Sequence, residues 1–153
     1  MNPSLSYSHL GKVLLVELNR PKALNSLSID MCVSVNDLLS NQLHNYGAFI
    51  LKGVGNKAFC AGGDVKSIWQ ELINLEKESK LKELGTGQDG YLHSDFFRTE
   101  YKMNYLLGSS HVPQISFLNG IVMGGGVGIS VHGRYRVATE KTLFAMPETG
   151  NYV

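Results

Sequence analysis

Cysteine is scarce in this sequence, and its two thiols, Cys32 and Cys60, lie far apart with no pairing pattern. A disulfide-stapled scaffold is therefore excluded. No Cys/His cluster has zinc-ligand spacing, so no metal is expected and a reducing compartment is the simpler reading. Excess charge of one sign is missing too: 14 Lys and Arg stand against 13 Asp and Glu, a formal net charge of +1. Without a global field, neither a nucleic-acid partner nor an acidic membrane surface is expected. Long apolar runs are lacking. Lys12 to Leu18 and Gly47 to Leu51 fall far short of the ~20 residues that cross a bilayer, so a soluble protein is expected. The opening Met1 to Ser6 has no basic n-region, no apolar h-region and no Arg-rich character, so no targeting signal is read there. No internal repeat of fixed period is visible.

What is present suits one globular domain over residues 1–153, with 43% hydrophobic and 18% charged residues. Val13 to Val16, inside Gly11 to Leu18 and stopped by Asn19-Arg20-Pro21, predicts a strand buried on both faces. From Ser28, a plausible N-cap, Ile29, Cys32, Val33, Leu39 and Leu43 recur at helical spacing as far as Asn45 to Gly47. Phe49-Ile50-Leu51 predicts a second buried strand. A glycine-crowded loop with Gly53, Gly55, Gly62 and Gly63 follows, and Asp64 can cap a helix carrying Val65, Ile68, Trp69 and Leu72. Lys77 to Lys82 reads as a solvated face. With Gly85 to Gly90, which lacks any apolar anchor, it makes residues 77–90 a mobile connection rather than a domain boundary. Helical periodicity resumes with Phe96, Phe97, Tyr101, Tyr105 and Leu106. Strands over Pro113 to Leu118 and Tyr135 to Ala138 come next. Strands alternating with helices predict an α/β fold with a largely parallel sheet and flanking helices. Trp69, Phe96, Phe97 and Tyr101, at helical spacing, are expected in the core.

Two glycine-rich turns carry the chemical signal: Cys60-Ala61-Gly62-Gly63-Asp64 and Met123-Gly124-Gly125-Gly126. A thioester carbonyl under attack develops charge on oxygen, which fixed backbone N–H groups stabilise without reorganising. Glycine lets the main chain come close to a ligand and adopt positive φ. If Gly125 and Gly126 open a helix running toward His132, its unpaired N–H groups and dipole add to that field. Either loop alone reads equally well as a tight turn. His44, His93, His111 and His132 have no recognisable nucleophile beside them and are expected in packing or surface roles. Cys60 is expected to be structural.

Taken in order, Asn19 to Asn25, Ala58 to Asp64, Gly120 with Met123 to Gly126, and Pro147-Glu148 resemble the crotonase superfamily of acyl-CoA enzymes. Within it, Phe97 to Tyr101, Met123 to Gly128, Val131 to Arg134 and Phe144 to Thr149 most resemble its 3-hydroxyisobutyryl-CoA hydrolase branch. The resemblance spans about Val13 to Thr149. It implies a crotonase-like fold of ββα units, acyl-CoA thioester hydrolysis in valine catabolism, and a mitochondrial setting, with a cytoplasmic or peroxisomal one left open because no targeting signal is read. It implies that Gly63 and Gly125 give the oxyanion-hole N–H groups and that Glu148 is the catalytic carboxylate. Glu100 matches a substrate-contacting acid, although a solvated helix face is an equal reading. Ala23, Ala61, Gly62 and Asp64 would border the coenzyme A moiety, which belongs to the substrate, so no cofactor is expected. Hydratases of the superfamily carry a second glutamate where this chain has Gly128, which favours hydrolysis over hydration. The family's chain continues past Pro147-Glu148 into a segment with a catalytic aspartate and further helices. The chain is thus expected to be a truncated or alternatively spliced form or a fragment, of reduced activity, completed by a homo-oligomer or partner chain. Two other readings stand beside this one: an enoyl-CoA hydratase or isomerase, and a non-catalytic assembly subunit.

Overall fold

The structure, a computed structural model, describes residues 3–78 and 91–150. Leu5–Leu10 (β1) and Val13–Leu18 (β2) form an antiparallel hairpin turned at Gly11, whose φ of 61° lies in the left-handed region. β2 alternates. Leu14, Val16 and Leu18 are buried, whereas the intervening face carries Glu17, ion-paired with Lys52 at 3.0 Å. The strand expected to be buried on both faces is thus buried on one, because its other face carries a charged pair.

Ser28 caps the first helix as its residue type suggests: its Oγ accepts the Met31 N–H at 3.3 Å, and α1 covers Ile29–Asp37. The helical pattern reaching Asn45 is not one α-helix. Leu38–Gln42 is a π turn and Leu43–Asn45 a 3-10 turn. The wider turn closes with the Leu43 N–H on the Leu38 carbonyl, and both leucines, five residues apart, are buried.

The rest of the chain is Ala48–Gly53 (β3), Ala58–Cys60 (β4), Val65–Lys77 (α2), Leu92–Ser109 (α3), Gln114–Leu118 (β5), Ile121–Met123 (β6), Gly125–Val131 (α4), Tyr135–Ala138 (β7) and Leu143–Ala145 (β8). A 3-10 turn, Pro147–Thr149, follows. The larger sheet has the order β1-β2-β3-β5-β7, and every pair except β1–β2 is parallel. A second, parallel sheet has the order β4-β6-β8. From β3 onward each strand of the large sheet is followed directly by a short strand of the small one, and β3–β4 and β5–β6 then lead into helices. This is the layered α/β architecture with ββα units that the residue pattern and the resemblance imply.

The core lies between the large sheet and the helices, where Leu14, Val16, Phe49 and Leu51 meet Met31 and Val35 of α1 and Met103 and Leu107 of α3. α3 is tied to α2 at its start, because the Glu71 carboxylate accepts the N–H groups of Leu92 (2.7 Å) and His93 (3.0 Å). Phe96 is buried as expected, but Trp69, Phe97 and Tyr101 are 58%, 44% and 66% exposed. Their helical spacing is real; the faces they share point away from the core. Lys77 ends α2 with Glu78 as its cap, and the remainder of the 77–90 connection lies outside the described residues. Among the described residues, no helix is long and apolar enough to cross a membrane.

Candidate active site

The two glycine turns follow the carboxyl ends of neighbouring strands β4 and β6, so parallel pairing brings them face to face. The Gly62 carbonyl accepts the Leu27 N–H at 2.8 Å. In a planar trans peptide the C=O and the following N–H point in opposite directions, so this bond aims the Gly63 N–H away from Leu27. The Gly124 carbonyl accepts from Val127 (2.9 Å) and Gly128 (3.2 Å), which aims the Gly125 N–H back out of the helix start. Neither N–H has a main-chain acceptor among the described residues. A Cβ on Gly125 would come within 3.3 Å of the Gly63 nitrogen, so the two donors border one small gap.

Two carboxylates close on the same gap. The Glu100 Oε1 lies where a Cβ on Gly125 would have to go, and the Glu148 Oε1 where one on Gly124, at φ 50°, would go. Glu100 comes from the buried side of α3 and is only 6% exposed, which rules out a solvated helix face. Burial, and secondarily the negative Glu148, hold its carboxyl above the usual range. No hydrogen-bond partner occupies it among the described residues. Glu148, in the Pro147–Thr149 turn after β8, is exposed.

The loop bearing Gly63 is splinted by the Arg20–Leu27 turn, which contains Ala23. Ala61 N–H donates to the Leu24 carbonyl (3.0 Å) and Asp64 N–H to the Leu27 carbonyl (2.8 Å). Arg20 donates from Nη2 to Asp64 Oδ2 (2.7 Å) and from Nη1 to the Ser26 carbonyl (2.8 Å). Asp64 also caps α2 by accepting the Ser67 N–H at 3.3 Å. Partial burial acts to raise the Asp64 carboxyl, but hydrogen bonds from Arg20 and Ser67 outweigh it and hold the group below its ordinary value. Asn25, buried and at φ 55°, spends its side chain on the carbonyls of Ala58 (2.8 Å) and Val54 (3.0 Å) and on the Arg20 N–H (3.0 Å).

Gly63, Gly125, Glu100 and Glu148 are thus gathered at one place, with Ala61, Gly62 and Asp64 on the adjoining loop and Ala23 on the turn bonded to it. The supporting roles of Arg20, Asn25 and Leu27 were missed. Cys60 is fully buried, its thiol donates to the Gly62 carbonyl at 3.7 Å, and burial pushes its pKa up to about 12, so it is no nucleophile at neutral pH. Among the described residues, no three His, Cys, Asp or Glu side chains are placed to hold a metal ion.

The fold and these turns define a crotonase-type domain, and the chain belongs to the enoyl-CoA hydratase/isomerase family, which matches residues 13–151. Among its relatives is a mitochondrial 3-hydroxyisobutyryl-CoA hydrolase of Dictyostelium discoideum, 46% identical over 144 residues, or 92% of this chain and 36% of that protein. The enzyme of that name from Homo sapiens is 44% identical over 88% of this chain and 32% of its own length. The chain therefore spans about a third of the length of these curated relatives. A carnitinyl-CoA dehydratase from Mycobacterium thermoresistibile superposes with a TM-score of 0.81 at 36% identity, covering 97% of this chain and 40% of that one. An enoyl-CoA hydratase from Bacillus anthracis gives 0.75 at 27% identity, covering 98% and 53%.

Proposed function

We propose that this site serves the hydrolysis of an acyl-CoA thioester, with 3-hydroxyisobutyryl-CoA as the substrate and mitochondria as the setting. The observation that carries the reading is the pair of N–H groups, Gly63 and Gly125, which have no main-chain acceptor among the described residues and border one gap with two carboxylates beside it. The thioester oxygen accepts from both N–H groups as charge develops on it. Glu148 supplies the reactive charge in one of two ways. It adds to the carbonyl carbon, expelling the CoA thiolate and leaving a mixed anhydride that water cleaves, or it takes a proton from the water that adds. Either route breaks the C–S bond and ends in a free acid and the CoA thiol. Glu100, held neutral over a wider pH range than an ordinary glutamate, hydrogen-bonds the 3-hydroxyl of the acyl group. Ala23, Ala61, Gly62 and Asp64 border the CoA moiety, and no separate cofactor takes part. The exposed strands β7 and β8 leave room for a homo-oligomer or partner chain to complete the fold.

Hydration of an enoyl-CoA, the activity named for several structural neighbours, calls on a second carboxylate at position 128. Here a Cβ on Gly128 would stand 2.8 Å from Asn104 Nδ2, so Asn104 already fills that space. The test is thiol release from 3-hydroxyisobutyryl-CoA by the natural protein, set against absorbance loss from an enoyl-CoA. Thiol release exceeding hydration supports the proposal. Hydration without thiol release, or neither, overturns it.

A further inference from the structure

We propose that Arg20 is a positioning residue, whose guanidinium clamps the Arg20–Leu27 turn to Asp64 and thereby fixes the direction of the Gly63 N–H. The kinetic part of this inference rests on the thioester reading above; the structural part does not.

Gly63 carries no side chain to anchor it, and its N–H has no main-chain acceptor among the described residues. Its direction depends on the peptide it shares with Gly62, whose carbonyl accepts the Leu27 N–H at 2.8 Å and, more weakly, the Cys60 thiol at 3.7 Å. Leu27 in turn accepts the Asp64 N–H, so Gly63 sits between two bonds to a single residue of the turn. Beside the Ala61 N–H bond to the Leu24 carbonyl, the fork of Arg20 keeps Leu27 in that register. One amino group holds Ser26, the residue before Leu27, through its carbonyl at 2.8 Å and its Oγ at 3.3 Å; the other holds Asp64 at 2.7 Å. The turn and the far end of the Gly63 loop are thus joined through one planar group. A lysine ammonium, a point charge on a flexible stem, lacks the rigid planar fork that holds both partners in one geometry. Arg20 and Asp64 are 25% and 15% exposed, so the pair is shielded enough for its geometry to be held.

The test compares wild type, Arg20→Met and Arg20→Lys in the natural protein. It reads kcat and KM for thioester hydrolysis and hydrogen exchange at the Leu27 and Asp64 amides, with the β2 and β3 amides as the measure of intact fold. Arg20→Met is expected to speed exchange at Leu27 and Asp64 about tenfold or more while β2 and β3 stay protected. It is also expected to lower kcat about tenfold to a hundredfold with KM nearly unchanged, because the donor is misaimed rather than the substrate lost. Arg20→Lys should fall between, and it carries the test if the methionine variant does not fold. Unchanged exchange overturns the clamp whatever the kinetics, and faster exchange with an unchanged kcat overturns its role in aiming Gly63. If wild type releases no thiol, the thioester reading fails, and exchange alone decides the clamp.

Discussion

Glu100 and Gly125 stand so close that any side chain at position 125 would overlap the Glu100 Oε1. Gly125→Ala should therefore put a methyl group in the gap between the two N–H donors, 3.3 Å from the Gly63 nitrogen. Thioester hydrolysis is expected to fall about 100-fold or more, with a stability loss of about 1–3 kcal/mol from overpacking. Thiol-release kinetics beside a melting curve check both. A variant with near wild-type turnover would place the reacting oxygen elsewhere.

Glu148→Gln keeps the volume of the side chain and removes its charge. Turnover is expected to drop by about 100- to 10,000-fold, while calorimetry shows nearly unchanged binding of the CoA ester. Retention of most of the activity would remove Glu148 from the reaction.

Glu100 gives a pH signature. Its folded pKa is raised by burial and by Glu148 above the value it has in the unfolded chain. Its contribution to stability is therefore full below the unfolded glutamate pKa and is lost as pH rises through the folded value. Glu100→Gln should flatten that part of the stability profile. Glu148→Gln should move the Glu100 pKa down toward its ordinary value but not onto it, since burial remains. Carboxyl-carbon NMR titration distinguishes this from an unmoved Glu100.

Asn25→Ala strands three main-chain groups, the Ala58 and Val54 carbonyls and the Arg20 N–H, and is expected to cost about 3 kcal/mol or more. Asn25→Gly separates bonding from conformation. It suits φ 55° but restores no hydrogen bond, so it should be nearly as damaging in denaturant titrations. A near-neutral glycine variant would show that conformation, not bonding, sets the choice of residue.

Tyr135 and Val137 of β7 and Leu143 and Phe144 of β8 are between 40% and 60% exposed. Each strand pairs on one side only among the described residues. A polypeptide of residues 1–153 alone is expected to self-associate through these edges. Val137→Lys with Phe144→Lys should shift its sedimentation profile toward monomer. A monomeric unmodified polypeptide would contradict this.

Much of this was legible where a local rule governs. Ser28 and Asp64 cap helices because short side-chain acceptors satisfy first-turn N–H groups, and both announce themselves in sequence. Gly125 opens α4 without such a cap, after Gly124 at φ 50°, a turn that the glycine run itself announces. The three-residue strands β4, β6 and β8 were not legible, being too short to show a period. Glu100 was half legible: Phe96, Glu100, Met103 and Leu107 share one helical stripe, which places the acid on the buried side. Periodicity could not say that Trp69, Phe97 and Tyr101 face outward, since it gives a face without its neighbour. The Arg20–Asp64 bond joins residues 44 positions apart and leaves no trace in local pattern.

The small sheet acts as a ruler. Its parallel strands β4, β6 and β8 run straight into the turns that carry Gly63, Gly125 and Glu148. Neighbouring strands keep a pitch of ~4.8 Å, and two N–H groups that far apart can each reach one oxygen between them at ~2.9 Å. The gauge of the site is therefore a property of backbone pairing. Exchanging the residues just past each strand changes what is delivered to the gap while leaving its width alone.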